Sequence, residues 1–276
     1  MARERPDQTF LIAQISDLHC GESLFDAALL RRAIHEINEA RPNLVMVPGD
    51  LTANGYRREF EEAKEHLALI ECENVVIIAG NHDCRNVGYL HFEEIFGRRY
   101  HELEFPFGVK ADGGLQERIK IVAADSNKPD LNDGELGRDK YDWILKEFGD
   151  PEAFKVFALH HHVISIPGTG RERNILLDAG DVLEALNRAG VDLVLAGHKH
   201  VAWAWPVAGM LAVTSGTSAT WRTRGKTPPS YNLVRIASKT IEVTVKDLSD
   251  HNDVELVYDR GTKCPLPTTG MAVRRT

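Results

Sequence analysis

The chain has 276 residues, of which 43% are hydrophobic and 27% are charged, and these ordinary globular values exclude wholesale disorder. This length is enough for one large α/β domain or two small ones with a substantial buried core. The formal net charge of −8 argues against broad binding to duplex nucleic acid, because an acidic surface repels phosphate backbones.

The first predicted elements alternate between strands and amphipathic helices. In chain order they are a strand at 10–15, a helix through Leu30, Ile34 and Ile37 that ends at Arg41-Pro42, a strand at 44–47, a helix over 60–70 and a strand at 75–79. The helices are predicted from apolar residues that recur every three or four positions. Such alternation implies right-handed crossovers and a largely parallel sheet.

The middle of the chain is less regular at first. A short helix is expected at 91–96, and the segments FPFG (105–108) and ADGG (111–114) are interpreted as turns or an exposed loop. The alternation then resumes with a strand at 119–124, a helix at 140–148, a strand at 156–159, a helix at 182–189 with Gly190 as its C′ residue, and a strand at 191–196.

From about residue 201 the pattern changes to short β-prone runs. They occupy residues 203–207, 210–214, 233–236, 241–245 and 254–258, and they are expected to pair antiparallel. We predict one catalytic domain over residues 1–260. Residues 261–276, which hold two prolines and little pattern, are expected to form a tail or an arm that packs on a partner.

Membrane and export signals are not recognisable in the sequence. No stretch is long and apolar enough to span a membrane, and the apolar stretch from Leu11 to Ile15 is too short for the core of a signal peptide. The four cysteines form no CxxC pair, which is typical of free thiols in a reducing compartment. We therefore expect a cytoplasmic protein without membrane association.

Five of the predicted strands end in carboxylate, amide or imidazole side chains. The segments are Asp17-Leu18-His19, Gly49-Asp50, Gly80-Asn81-His82-Asp83, His160-His161-His162 and Gly197-His198-Lys199-His200. The carboxyl ends of parallel strands meet at one edge of a sheet, where ligands bind. The pattern therefore predicts that these segments, distant in sequence, form one site.

The residue types of these segments indicate a metal site. Asp17 with His19, and His198 with His200, can point to the same side because residues i and i+2 do so in an extended segment. Oxygen and imidazole ligands without cysteine suit Mn, Fe or Zn. Taken singly, Asp-x-His is more often a chance occurrence than a ligand pair, Gly-Asp is usually a turn, and Gly-His-x-His fits a loop with one core histidine equally well. Together they are too many for one four-coordinate ion and fit a dinuclear site with a shared carboxylate.

With this order and spacing, the five motifs resemble those of the calcineurin-like metallophosphoesterase family over about residues 10–245. Further segments are similar to its phosphodiesterase branch, which includes cyclic-nucleotide and glycerophosphodiester enzymes: Ala124-Asp125-Ser126, Gly134-Glu135-Leu136-Gly137, Trp143 and Ser215-Gly216-Thr217. The resemblance implies an α/β fold, namely a four-layer αββα sandwich with mixed sheets.

The resemblance also implies a set of metal ligands. Asp50 would bridge two metal ions (Mn, Fe or Zn). One ion would be held by Asp17, His19 and His200, and the other by Asn81, His160 and His198. Many family members have His-Pro after the mid-chain histidine, whereas this chain has His160-His161-His162, so His161 stays an alternative to His160.

Two further residues receive catalytic roles from the resemblance. His82 would lie beside the substrate and supply a proton or charge to the leaving group, and Asp83 would orient its imidazole. Arg85 is a weaker candidate for a contact with the substrate phosphate, since a lone arginine is more often a solvated surface charge. Arg222 and Arg224 are interpreted as loop charges, with a place in the pocket as the alternative.

The resulting hypothesis is a dinuclear metal-dependent phosphodiesterase in which a metal-bridging hydroxide attacks a small phosphodiester, with a 3′,5′-cyclic nucleotide among the candidates. The alternatives are a phosphomonoesterase or nucleotide pyrophosphatase with the same centre and, after these, a non-catalytic scaffold for a partner protein. Action on long nucleic acid is disfavoured, because the sequence has no basic stripe. A homo-oligomer is left open.

Overall fold

The protein is described by a computed structural model that covers residues 9–108, 117–170 and 173–267. The strands are β1 (Phe10–Gln14), β2 (Leu44–Pro48), β3 (Val75–Ile78), β4 (His101–Phe107), β5 (Glu117–Ala123), β6 (Ala153–Ala158), β7 (Leu193–Ala196), β8 (Trp203–Val207), β9 (Met210–Thr214), β10 (Ser230–Ile236), β11 (Thr240–Asp247) and β12 (Val254–Asp259). The helices are α1 (Ala27–Ala40), α2 (Arg57–Leu67), α3 (Gly88–Phe96), α4 (Arg138–Glu147) and α5 (Ala179–Arg188).

The strands form two six-stranded mixed sheets. The first has the order β12-β11-β10-β1-β2-β3, in which β1, β2 and β3 are parallel and β10 runs antiparallel to β1. The second has the order β4-β5-β6-β7-β9-β8, with β5, β6, β7 and β9 parallel and antiparallel strands at both edges. The expected largely parallel sheet is therefore divided between two sheets.

Three hydrophobic cores separate four layers. The central core lies between the sheets and includes Ile12 and Ile121. A second core, with Ile34, packs α1 to α3 on the outer face of the first sheet, and a third, with Ile144, packs α4 and α5 on the second. Because both faces of each sheet are covered, the central strands are apolar runs without polar alternation. This arrangement confirms the αββα sandwich.

The ends of the helices follow local sequence signals. The Asp26 carboxylate caps α1 by accepting hydrogen bonds from the N–H groups of Ala28 and Leu29 at 2.9 and 3.4 Å. Arg41 ends α1 in the left-handed conformation, with φ of 50°. Gly190 has φ of +69° after α5, which confirms its expected place at C′.

The expectation of a turn at FPFG is wrong. Residues 105–107 lie in β4, where Phe105 pairs with Ile119 of β5 and its ring centroid is 5.1 Å from that of Phe10. Pro106 is compatible with a strand here because β4 is at an edge of its sheet. The ADGG segment at 111–114 lies outside the described residues.

Beyond β12 the described chain folds back on the sandwich. The Leu266 N–H donates to the Val257 carbonyl at 2.7 Å, and Lys263 Nζ lies 2.8 Å from Asp192 Oδ1. The division at residue 260 into a domain and a tail or arm stays a prediction, and residues 268–276 lie outside the described residues. No helix in the part of the chain that the structure describes is long and apolar enough to cross a membrane.

Candidate metal centre

The segments that follow β1, β2, β3, β6 and β7 meet at one end of the sandwich. The Asp17 N–H donates to the Gly49 carbonyl at 3.1 Å and the Gly197 N–H to the His160 carbonyl at 3.0 Å, which joins neighbouring loops within each sheet. The His198 N–H lies 3.1 Å from both carboxylate oxygens of Asp17. This last contact connects the two sheets, so the site is built at their junction.

Backbone strain is present in this site. Five of the predicted ligands have positive φ angles of 52–74°, namely Asp17, His19, Asp50, His198 and His200. A residue other than glycine costs of order 1–3 kcal/mol in such a conformation, and such residues cluster where a site requires a particular side-chain direction.

Gly197 allows the two sheets to approach closely. A Cβ atom at this position would lie 2.3 Å from Ser16 Oγ and 2.8 Å from Asp17 Oδ2. Both atoms belong to side chains that follow β1, and the Pro48 carbonyl oxygen is 3.3 Å away, so a side chain at residue 197 would displace the Ser16 hydroxyl and the Asp17 carboxylate. The glycine of the Gly-His-x-His segment is thus required by packing between the layers.

One group of potential ligands consists of Asp17, His19 and His200. Their ligand atoms all lie within 4.8 Å of one another, and all three side chains are buried. Nε2 of His200 is 3.0 Å from Nε2 of His19 and 3.3 Å from Oδ1 of Asp17.

A second group consists of Asp50, His160 and His198, again within 4.8 Å, together with Asn81. The Asn81 Oδ1 atom is 3.1 Å from His160 Nε2 and 2.9 Å from His198 Nδ1. Asp50 presents Oδ1 to this group, 3.4 Å from His160 Nε2, and Oδ2 to the first group, 3.8 Å from His19 Nε2. Its carboxylate therefore lies between the two groups.

The protons of three imidazoles can be assigned from their outer contacts. His160 Nδ1 is 2.7 Å from the Pro48 carbonyl, His198 Nε2 is 2.7 Å from the Asn174 carbonyl, and His200 Nδ1 is 2.5 Å from the Arg222 carbonyl. A carbonyl only accepts, so each neutral ring places its single proton there and directs a lone pair inward.

This proton assignment shows that the residues fit metal ions. His160 Nε2 and His198 Nδ1 are 3.1 Å apart, and each faces the Asn81 oxygen, so with both rings neutral three acceptors converge with no hydrogen between them. Such an arrangement is repulsive unless a cation, either a proton on His160 or a metal ion, lies among the acceptors. Histidines that ligate metals commonly donate their other N–H to a carbonyl in this way. The site binds divalent metal ions.

Charge and burial act in opposite directions on the pKa values of the centre. Burial lowers the pKa of His19 and of His198 well below the usual value, which keeps both rings neutral and able to ligate. Burial also acts to lower the pKa of His160, but the charge and hydrogen bond of Asp50, the Asp17 charge and the Pro48 carbonyl together outweigh it and raise that pKa to about 9. A proton on His160 and a metal ion are alternative ways to neutralise the same carboxylate.

His82 lies beside both groups. Its backbone N–H donates to Asp50 Oδ1 at 2.8 Å, and its ring is edge-on to that of His19 with centroids 4.6 Å apart. The His82 Nδ1–H donates to the Ala53 carbonyl at 2.7 Å. Burial lowers the pKa of His82, the Asp50 charge acts to raise it, and the Arg85 charge lowers it further.

The prediction that Asp83 orients His82 is wrong. The Asp83 carboxylate is buried and accepts hydrogen bonds from Leu51 N at 3.1 Å, from both N and Oγ1 of Thr52 at 2.9 and 2.8 Å, and from Gly80 N at 2.8 Å. The turn after β3 directs this side chain inward, away from the His82 ring. Burial, and then the Asp50 charge, raise its pKa to about 7. Asp83 holds the loops after β2 and β3 together.

The structure distinguishes His160 from His161 by position. His161 Nδ1 is 2.9 Å from Ser126 Oγ and its Nε2 is 3.2 Å from the Asn132 carbonyl, so both ring nitrogens are used outside the two groups. His160 is the member of this run that joins Asp50 and His198.

Arg85 and Asn132 form a polar contact at the edge of the centre. Arg85 Nη2 donates to Asn132 Oδ1 at 2.7 Å, and Nη1 lies 3.0 Å from His82 Nδ1. Asn132 also accepts from Asn81 Nδ2 at 3.2 Å. Sequence reasoning missed Asn132, because Asn132-Asp133-Gly134 has the composition of an ordinary turn.

The Arg222 side chain is a loop charge, as expected. Its guanidinium Nη1 is 2.9 Å from Glu22 Oε1, and the two side chains are partly exposed. The backbone of Arg222 contributes to the site instead, through the carbonyl that fixes His200. A carbonyl contact of this kind has no signal in the sequence.

Comparison with known proteins agrees with this geometry. The family model of the calcineurin-like phosphoesterases matches residues 10–202. A probable cyclic nucleotide phosphodiesterase of Synechococcus sp. is 31% identical over 206 residues, which are 71% of this chain and 75% of the relative. A probable cyclic nucleotide phosphodiesterase of Rhodococcus erythropolis is 26% identical over 272 residues, covering 90% of this chain and 87% of the relative.

A solved structure has the same fold. A dimetal phosphatase from Danio rerio superposes with a TM-score of 0.67 and 14% identity, over 90% of this chain and 99% of that one. The likeness therefore extends over most of the chain. The chain therefore belongs to the calcineurin-like phosphoesterase family and is a metal-dependent phosphoester hydrolase.

Proposed function

We propose that the protein is a dinuclear metal-dependent phosphodiesterase that hydrolyses small phosphodiesters. The observation that carries the proposal is the position of Asp50, whose two carboxylate oxygens face two separate groups of buried ligands. The names of the two curated relatives, probable cyclic nucleotide phosphodiesterases, support a diester and make 3′,5′-cyclic nucleotides the first substrates to test.

The proposed ligands of the two ions follow the two groups. Asp17, His19 and His200 would hold one ion, Asn81, His160 and His198 the other, and Asp50 would be shared. Since the donors are oxygen and nitrogen without sulfur, we propose Mn, Fe or Zn as the metals. Bound ions of this kind supply Lewis acidity toward phosphoryl oxygens and lower the pKa of water.

The protein's own groups would position the reaction around these ions. The His82 N–H holds the Asp50 carboxylate in place. Because the Ala53 carbonyl fixes the proton of His82 on Nδ1, the proton that His82 can give up to a leaving alkoxide is the one on Nε2 of the charged ring. Hydrolysis would break one phosphorus–oxygen ester bond and add one water molecule. An acyclic diester would give an alcohol and a phosphomonoester, and a cyclic nucleotide would give a single nucleoside monophosphate with a free hydroxyl group.

Arg85 supports this arrangement from outside the metal groups. Its guanidinium adjoins the His82 ring and adds positive charge where a substrate phosphate would enter. We propose that Arg85 contacts the substrate.

We also propose that the protein acts in the cytoplasm. All four cysteines are free thiols, and free thiols are typical of reducing compartments.

The proposal is tested with the purified protein loaded with Mn²⁺. We expect faster hydrolysis of bis(p-nitrophenyl) phosphate than of p-nitrophenyl phosphate, activity toward cyclic nucleotides or glycerophosphodiesters, and loss of all activity with a chelator. Hydrolysis of the monoester alone would instead indicate a phosphomonoesterase with the same centre. Hydrolysis of neither substrate by the metal-loaded protein would favour a non-catalytic scaffold.

A further inference from the structure

The Asn132 side chain connects Asn81, a proposed metal ligand, to the guanidinium of Arg85. Its side chain is exposed at the edge of the centre, and its Oδ1 atom accepts hydrogen bonds from Asn81 Nδ2 at 3.2 Å and from Arg85 Nη2 at 2.7 Å. Its backbone is held in place as well, since the Asn132 carbonyl lies 3.2 Å from His161 Nε2. The Asn132 Oδ1 atom therefore accepts hydrogen bonds from both Asn81 and Arg85.

The Asn81 amide has two orientations, and only one of them suits a metal ion. With the oxygen inward, Asn81 offers a ligand atom beside His160 and His198. With the NH₂ group inward, it would donate to the lone pairs of those two rings, which is favourable in the metal-free protein but excludes an ion. Contacts inside the centre therefore do not select the orientation that binds metal.

The hydrogen bonds from Arg85 to Asn132 and from Asn81 to Asn132 select the orientation of the Asn81 amide, because each group can act only as a donor or only as an acceptor. A guanidinium only donates, so Arg85 requires the Asn132 amide to present its oxygen. That oxygen only accepts, so it requires Asn81 to present its NH₂ group outward. The Asn81 oxygen must then face inward, toward His160 and His198.

We propose that Arg85 and Asn132 are positioning residues that fix the Asn81 amide with its oxygen toward the second metal ion. This inference rests on the dinuclear centre proposed above. Partners of this kind typically contribute 10–100-fold to metal affinity. We expect an effect of about tenfold, at the lower end, because Asn132 is exposed and water competes for its hydrogen bonds.

The test is a Co²⁺ titration of the metal-free protein, followed by calorimetry and by the visible absorption of the bound ions. In N132A, we expect one of the two ions to bind about tenfold more weakly while the other is unchanged, since only one group contains Asn81. N132D should restore the affinity, because a carboxylate still accepts from both Asn81 and Arg85.

Arg85 gives a second, sharper comparison. R85A should weaken the binding of the same ion when Asn132 is present, because the Asn132 amide is then free to rotate. In the N132D background R85A should have little effect, because a carboxylate presents an oxygen in either orientation. If Arg85 acted only through its charge or by supporting the loop, R85A would reduce the metal affinity equally in the wild-type protein and in N132D.

Leu131, the exposed neighbour of Asn132, supplies matched controls. L131A controls for disturbance of the loop, and L131D places the added charge of N132D one residue away without the hydrogen bonds. Two ions bound by N132A with wild-type affinities would overturn the inference and leave the dinuclear centre intact. The same conclusion would follow if the double variant L131D/N132A regained as much metal affinity over N132A as N132D does. Fewer than two ions bound by the wild-type protein would overturn the centre itself.

Discussion

His82 is proposed to act in catalysis without holding a metal ion, although its ligand atom lies within 4.8 Å of those of His19 and Asp50. We expect H82A to retain both ions, because neither proposed set of ligands includes this ring, and to lose about 10²–10⁴ in kcat with poor leaving groups. The loss should be smaller with p-nitrophenol, which needs little protonation. The measurement is kcat of H82A and of the wild-type protein for a series of diesters with different leaving groups. H35A, a substitution of an exposed histidine on α1, is the control. Equal losses across the series would remove His82 from the role of proton donor.

Asp50 should be required by both ions, because its two oxygens face different ligand groups. D50N keeps the acceptor for the His82 N–H but removes the charge. We therefore expect this variant to retain fewer than two ions after dialysis, as measured by elemental analysis. Wild-type stoichiometry in D50N would show that Asp50 is not shared.

At this scale the sequence predicted which residues come together better than how they contact one another. Ligand types at strand ends identified Asp17, Asp50 and His198, because strand ends converge whatever the details of the loops. The contacts of Asp83 and Asn132 depend on the course of individual turns, which periodicity and composition do not encode. Asp83 was for this reason assigned to the wrong partner.

At the scale of elements, a buried polar network holds the two sheets together close to the site. Asn232 of β10 donates from Nδ2 to Gln14 Oε1 of β1 at 3.0 Å and to the Thr214 carbonyl of β9 at 2.9 Å. Gln14 in turn donates to the Ala196 carbonyl of β7 at 2.9 Å. Since Gln14 lies at the end of β1, before Asp17, and Ala196 lies at the end of β7, before His198, the network joins the two sheets beside the loops that carry the proposed ligands.

We predict that N232A lowers the free energy of unfolding by about 3 kcal/mol, because it leaves buried acceptors on Gln14 and Thr214 without a donor. Urea unfolding of the metal-free protein measures this effect without a contribution from bound ions. N187A, which removes an exposed side chain on α5, is the matched control. An unchanged urea midpoint in N232A would mean that the network does not stabilise the sandwich.

The strands were largely predictable, and their pairing was not. Runs such as residues 44–47 and 191–196 are apolar and of strand length, so β2 and β7 were found. Periodicity does not say which strands are neighbours, so the division into two sheets followed from the family resemblance alone. The proline and glycine of FPFG have the composition of a turn, but an edge strand such as β4 accommodates Pro106.

At the scale of the whole molecule, bound ions should stabilise the fold. An ion present at 100 times its Kd adds about 2.7 kcal/mol, and it also offsets the repulsion among inward lone pairs such as those of His160 and His198. We expect Mn²⁺ to raise the melting temperature of the chelator-treated protein by about 5 °C or more. The melting temperature of D50N should respond much less. Identical melting curves with and without Mn²⁺ would contradict the proposed centre.

The most direct measurement is the anomalous scattering of a crystal soaked with Mn²⁺ and measured near the manganese absorption edge. We expect two strong peaks, one among Asp17, His19 and His200 and the other among Asn81, His160 and His198, with the Asp50 carboxylate between them. A single peak, or peaks away from these side chains, would contradict a dinuclear centre at the junction of the two sheets.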